Sequence, residues 1–125
     1  MQDTDKIQIQ NSKIYDLEDR TTEFGKRVIR LCKAIPNNAI NERLIKQVIG
    51  SSDSVGANYR EANDALGKKD MINRIKICRK EAKETIHHLK LIAEANDSIA
   101  HRMNNLFQEA QELINIFSSI IKKLS

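Results

Sequence analysis

Turn-forming and sheet-forming residues are scarce in this sequence. One proline and four glycines serve 125 residues, and aromatic residues make up 4% of them, which is too little turn chemistry and too few β-formers for a sheet protein. The two cysteines, Cys32 and Cys78, have neither a metal-ligand spacing nor a companion cluster, and no signal-peptide pattern opens the chain, so a reducing cytoplasm is the expected setting. No apolar run approaches the roughly 20 residues that span a bilayer. The longest candidate, Leu113 to Ile121, is broken by Asn115, Ser118 and Ser119. No glycine-rich phosphate loop is present, and Ser51, Ser52 and Ser54 have no feature beside them that marks a base or an oxyanion hole. His87 and His88 are adjacent and diverge by about 100° on a helix, while His101 falls on another helix, so they are not a joint ligand set. These absences predict no enzyme, no cofactor and no metal site.

What remains is rich in Leu, Ile, Lys, Glu, Ala and Asn, and suits helices. Residues 1–12 are polar, with only Ile7 and Ile9 to add a contact, and read as a mobile tail. Residues 13–125 read as one domain. Ile14, Leu17, Thr21, Phe24, Val28, Leu31 and Ile35 step by three and four and form one apolar seam, which Pro36-Asn37-Asn38 stops. A second seam runs Leu44, Val48, Ser52, Val55, Tyr59, Ala62 and Leu66, with Gly67 expected as a left-handed helix end. A third runs from Met71 through Ile75, Cys78, Ala82, Thr85 and Leu89 to Ile92, and the stop at Asn96-Asp97-Ser98 offers a side-chain oxygen to cap the next start. The fourth runs from Ile99 through Met103, Leu106, Ala110, Leu113, Phe117 and Ile120 to Leu124. Short connections between four such segments predict an all-α fold, an antiparallel up-down-up-down four-helix bundle.

The fourth segment carries a second apolar stripe, Phe107, Ile114 and Ile121, with Ile116 on the opposite edge of the seam. Ile45 and Ile49 lie beside the second seam. Such a width in one protomer predicts self-association, with Phe107, Ile114, Ile116 and Ile121 at the oligomer interface.

Charge is segregated as well. Acids outnumber bases up to Glu23, and bases dominate from Phe24 to Gly50, within a formal net charge of +4. On the third helix Lys69, Lys76, Lys80, Lys83, His87 and Lys90 form a ridge facing away from the apolar seam. A solvated outer face is the plain reading of such a ridge. Repeated around a cyclic oligomer it becomes a positive belt suited to RNA or DNA backbone. No stacking platform or base-reading motif accompanies it, so weak sequence specificity is expected.

The stretch "SSDSVGANYREAND", Ser51 to Asp64, places small residues in mid-helix, where they let a neighbouring backbone come close. Asn58 on the seam's edge is suited to fixing register by a hydrogen bond to a neighbouring helix. Alternatively, Asn58, Arg60 and Glu61 form an interhelix polar cluster at a subunit junction. The run Gly56-Ala57-Asn58-Tyr59-Arg60-Glu61-Ala62, with Lys80-Glu81-Ala82 and Glu84-Thr85 downstream, resembles the small four-helix-bundle proteins of intervening sequences in bacterial large-subunit ribosomal RNA genes. The resemblance spans nearly the whole chain and departs at His87-His88, where many members carry Trp or Tyr. It implies a homopentamer. A related group, the accessory proteins of diversity-generating retroelements, implies nucleic acid and a reverse transcriptase as partner classes. The expectation is therefore a non-enzymatic homo-oligomeric bundle that binds nucleic-acid backbone, and the alternative is a protein-interaction scaffold without that role.

Overall fold

The computed structural model describes residues 16–125. The expected tail, Ile7, Ile9 and Ile14 lie outside the described residues. Four α-helices follow in order, α1 Leu17–Lys33, α2 Ala39–Asn63, α3 Lys68–Ala95 and α4 Asn104–Leu124, with a 3₁₀ segment Asp97–Met103 leading into α4. No strand occurs among the described residues. The all-α expectation holds.

Contacts across each seam give the direction of the helices. Between α2 and α3, Asn41 meets Asn96, Ser51 meets Thr85 and Asn58 meets Arg74. Between α1 and α2, a Cβ on Gly25 would stand 3.9 Å from the Ser52 carbonyl, and one on Gly56 would stand 3.4 Å from Thr21 Oγ1. Arg79 on α3 reaches Ser118 on α4, and Arg20 on α1 reaches Glu109 on α4, while Leu31 lies beside Leu106. Early residues of one helix meet late residues of the next, so the four helices run alternately up and down around a ring. Tyr59 and Phe117 meet across the diagonal with ring centroids 6.4 Å apart.

The predicted seams supply the core: Leu17, Phe24 and Val28 of α1, Val48, Val55 and Ala62 of α2, Ile75, Cys78 and Leu89 of α3, and Leu106, Leu113 and Phe117 of α4 are all buried. Mid-helix small residues act as expected at the α1–α2 crossing, where Gly56 is buried under Thr21.

Three boundary expectations need correction. The α2 helix ends at Asn63, so Leu66 falls in the connection and is fully exposed. The apolar period continues past the point where the chain must reverse. Gly67 is extended, at φ −176°, and precedes α3 as its N-cap, so it does not end α2 in a left-handed conformation. Asn96 makes no side-chain cap to the segment that follows; its amide is taken by Asn41 Oδ1 at 2.8 Å and the Ile92 carbonyl at 2.9 Å. With Asn96 held back against α3, the chain continues as 3₁₀ before α4 begins.

Candidate nucleic-acid interface

The ridge of α3 is where the sequence pattern places it. Lys69, Lys76, Lys80, Lys83, His87 and Lys90 are all exposed, on the side opposite Cys78, Thr85 and Leu89, which are buried. Among the described residues none of the five lysines lies within 4.0 Å of a carboxylate; the ion pair on this helix joins Arg74 to Asp70 at 3.9 Å. Glu81 is half-buried, and burial raises its carboxyl pKa, with Glu84 adding to the rise and Lys80 opposing it. The ridge is thus a row of exposed cations with no carboxylate in contact among the described residues. At its first turns it borders a shallow depression of about 490 Å³, where Lys69 and Lys76 stand beside Ile72 and Leu124.

A family model described as 23S rRNA-intervening sequence protein matches residues 13–119. The chain belongs to this family. A crystal structure of a protein of unknown function from the S23 ribosomal protein family of Bacteroides thetaiotaomicron is similar to it, with a TM-score of 0.76 and 32% identity, covering 88% of this chain and 98% of that one. Comparison with curated proteins returns no match. The resemblance to the intervening-sequence proteins, expected from the Gly56–Ala62 run, is therefore borne out over residues 13–119.

Other residues of this family member are placed differently from the expectation. Ile114 and Ile121 do not project from the protomer: they are 7% and 8% exposed and belong to its own core, and Phe107 and Ile116 are half-buried against it. The wide arc of α4 has a physical cause inside the protomer, because a helix in a four-membered ring faces two neighbours and the diagonal. Among the described residues the exposed large apolar side chains are Ile29, Ile40, Leu66 and Leu91, none of them on α4. A groove of about 360 Å³ lies between α1 and α2, with Ile29, Ile49 and Gly56 among its walls.

The polar cluster is also divided. Asn58 Nδ2 donates to the Ser54 carbonyl at 2.9 Å, and Arg74 Nη1 of α3 lies 3.4 Å from Asn58 Oδ1. Arg60, about 200° further round the helix, lines the groove toward α1, and Glu61 is exposed. Asn58 makes the expected register contact with a neighbouring helix; Arg60 does not join it.

Burial pushes the Cys32 thiol up to about 11 and the Cys78 thiol up to about 12, so neither is a thiolate at neutral pH. Burial, then His87, lowers the His88 pKa against Glu84. Among the described residues no three His, Cys, Asp or Glu side chains form a metal-holding group, and no helix is long and apolar enough to cross a membrane.

Two polar arrangements were not read from the sequence. Arg20 forks onto Glu109, and Asn41 pairs with Asn96. Their partners are 89 and 55 residues away, and only a known interhelix register would have joined them.

Proposed function

We propose that this family member is a non-enzymatic, homo-oligomeric helical bundle that binds RNA or DNA backbone through the α3 ridge, with little sequence preference. The observation that carries this reading is the row Lys69, Lys76, Lys80, Lys83 and Lys90, exposed and without a carboxylate partner among the described residues. Self-association multiplies the row, and the open α1–α2 groove offers the apolar contact for it; the resemblance favours a pentamer. The family's description ties its members to 23S rRNA, which makes RNA the first probe. A nucleic-acid enzyme such as a reverse transcriptase is the protein partner class that the resemblance favours.

The test is fluorescence anisotropy with mixed-sequence RNA and DNA oligonucleotides over a salt series. Replacing Lys76, Lys80 and Lys83 together by Gln removes up to three phosphate contacts, so the slope of log affinity against log salt falls by about 1 per lost contact. Oligomeric state and melting temperature stay near those of the parent. A parent that does not bind at low salt, or a variant with the parent's slope, returns the protein to the scaffold reading.

A further inference from the structure

Two places along the seam between α1 and the stretch running from the 3₁₀ segment into α4 are filled in opposite ways. At the first, Arg20 donates from Nε to Glu109 Oε2 at 2.8 Å and from Nη2 to Glu109 Oε1 at 2.8 Å, with Glu112 Oε1 at 3.1 Å from the same Nη2. This is a bidentate guanidinium–carboxylate fork with a second carboxylate at its side. Further along the seam, toward the C-terminal end of α1, the chain places Arg27 on α1, Arg102 in the 3₁₀ segment that leads into α4, and Asn105 in the first turn of α4. No carboxylate takes the part of Glu109 or Glu112 here.

The structure leaves this second position open. Arg27, Arg30, Leu31, Arg102, Asn105 and Leu106 line a cleft of about 230 Å³, with buried Leu31 and Leu106 as its apolar floor. Among the described residues neither Arg27 nor Arg102 has a carboxylate within 4.0 Å. Arg30 donates to Glu23 Oε1 at 2.9 Å, and both of those side chains are at least half exposed. That carboxylate also feels the charge of Arg27, so one acid is shared among the three guanidinium groups and positive charge stays in excess around the cleft.

We infer that this cleft binds a phosphate group. Arg27 and Arg102 offer forked donors from opposite walls, and Asn105 adds an amide N–H or an oxygen between them. A carboxylate presents two oxygens in one plane and a single charge, whereas two guanidinium groups without a carboxylate in contact match a group with more oxygens and more charge. The ligand is either the backbone phosphate of a nucleic-acid strand or a small free phosphate; the chemistry at the cleft is the same. The site is independent of the α3 ridge, so it stands whether or not the ridge binds a strand.

The experiment is an NMR titration of the arginine side-chain Nε–H signals in the full chain, at constant ionic strength, against inorganic phosphate and, separately, a short oligonucleotide without terminal phosphate. Three proteins are compared: the parent, Arg102→Gln, and Arg102→Glu, which sets a carboxylate opposite Arg27 as Glu109 stands opposite Arg20. The parent shows saturable shifts at Arg27 and Arg102. Arg102→Gln weakens the affinity read at Arg27 about tenfold, the scale of one charge-assisted hydrogen-bond set, and Arg102→Glu abolishes the Arg27 response while raising the melting temperature. Response to inorganic phosphate identifies a free phosphate ligand; response to the oligonucleotide alone identifies a strand. Absence of both responses in the parent, or equal responses in parent and Arg102→Glu, overturns the proposal. The triple lysine variant on α3 keeps the parent's response to inorganic phosphate where that response exists, and its loss there overturns the independence of the two sites.

Discussion

The α2–α3 seam and the α1–α4 seam hold polar groups in contrasting ways. Apart from Arg74 beside Asn58, the groups that meet between α2 and α3 are neutral and buried, and the two amides pair reciprocally. Asn41 Nδ2 donates to Asn96 Oδ1 at 3.0 Å, and Asn96 Nδ2 donates to Asn41 Oδ1 at 2.8 Å. Ser51 and Thr85 hydroxyls meet at 2.8 Å. Between α1 and α4 the groups are charged and partly wet, and the second half of that seam opens into the arginine cleft. The difference follows from desolvation. A neutral amide pair loses little on burial if each donor finds an acceptor, whereas ions must keep water or a full set of partners. The neutral seam can therefore close and set register, and the charged seam stays open enough to admit a ligand.

The largest effect is expected where a buried group would be left without its partner. Asn96→Ala removes both amide–amide bonds and leaves Asn41, 1% exposed, with the Pro36 carbonyl as the acceptor for its Nδ2 group. The expected loss is about 3 kcal/mol, from two hydrogen bonds and a stranded acceptor. Urea unfolding with an unchanged m-value measures it. The double variant Asn41→Leu/Asn96→Leu recovers part of the loss, since replacing both partners removes the stranding. A loss under about 1 kcal/mol for Asn96→Ala, the value of an ordinary exposed pair, would erase the contrast between the seams.

A smaller, salt-sensitive effect is expected on the charged side. Arg20 and Glu109 keep 21% and 15% of their side-chain surface exposed, so Arg20→Gln costs about 1–2 kcal/mol at low salt, below the value for a fully buried pair. The difference from the parent shrinks toward 1 M salt, where screening acts over about 3 Å. The Asn96→Ala loss does not shrink in the same series. Parallel salt dependence for the two variants would show that the α1–α4 pair is as dry as the amide pair.

The repeating apolar pattern made the bundle legible: Phe24, Val28, Val55, Ile75, Leu89 and Phe117 are all in the core it predicted. The same pattern misled at Leu66, because periodicity marks a face without marking where the chain must turn. On α4 it measured the width of the apolar arc correctly but not its cover; Ile114 and Ile121 are covered by the protomer itself. Asn96 stands where a cap is usual, and its partner Asn41 is visible only once α2 and α3 are laid side by side. The α3 ridge was legible as an exposed face because a helix wheel fixes it against Cys78 and Leu89. The arginine cleft was not, since Arg27 and Arg102 come from distant segments and acquire meaning only by comparison with Arg20 and Glu109.

The smallest effect tests whether every neutral pair on the α2–α3 seam sets register. Thr85 Oγ1 donates to the Glu81 carbonyl at 2.9 Å, and its one hydroxyl proton is used there. Ser51 is then the donor in the hydroxyl pair, with the Val48 carbonyl at 3.3 Å as its second acceptor. Ser51→Ala removes that donor and strands no proton, because Thr85 keeps its own bond. The lost hydrogen bond costs about 1 kcal/mol, and the better helix propensity of alanine offsets roughly half of it. A net loss near 0.5 kcal/mol corresponds to a fall in melting temperature of only a few degrees for a domain of this size. Thermal unfolding of Ser51→Ala beside Asn96→Ala makes the comparison directly. A loss for Ser51→Ala as large as that for Asn96→Ala would mean that the hydroxyl pair, and not the amide pair alone, holds α2 and α3 in register.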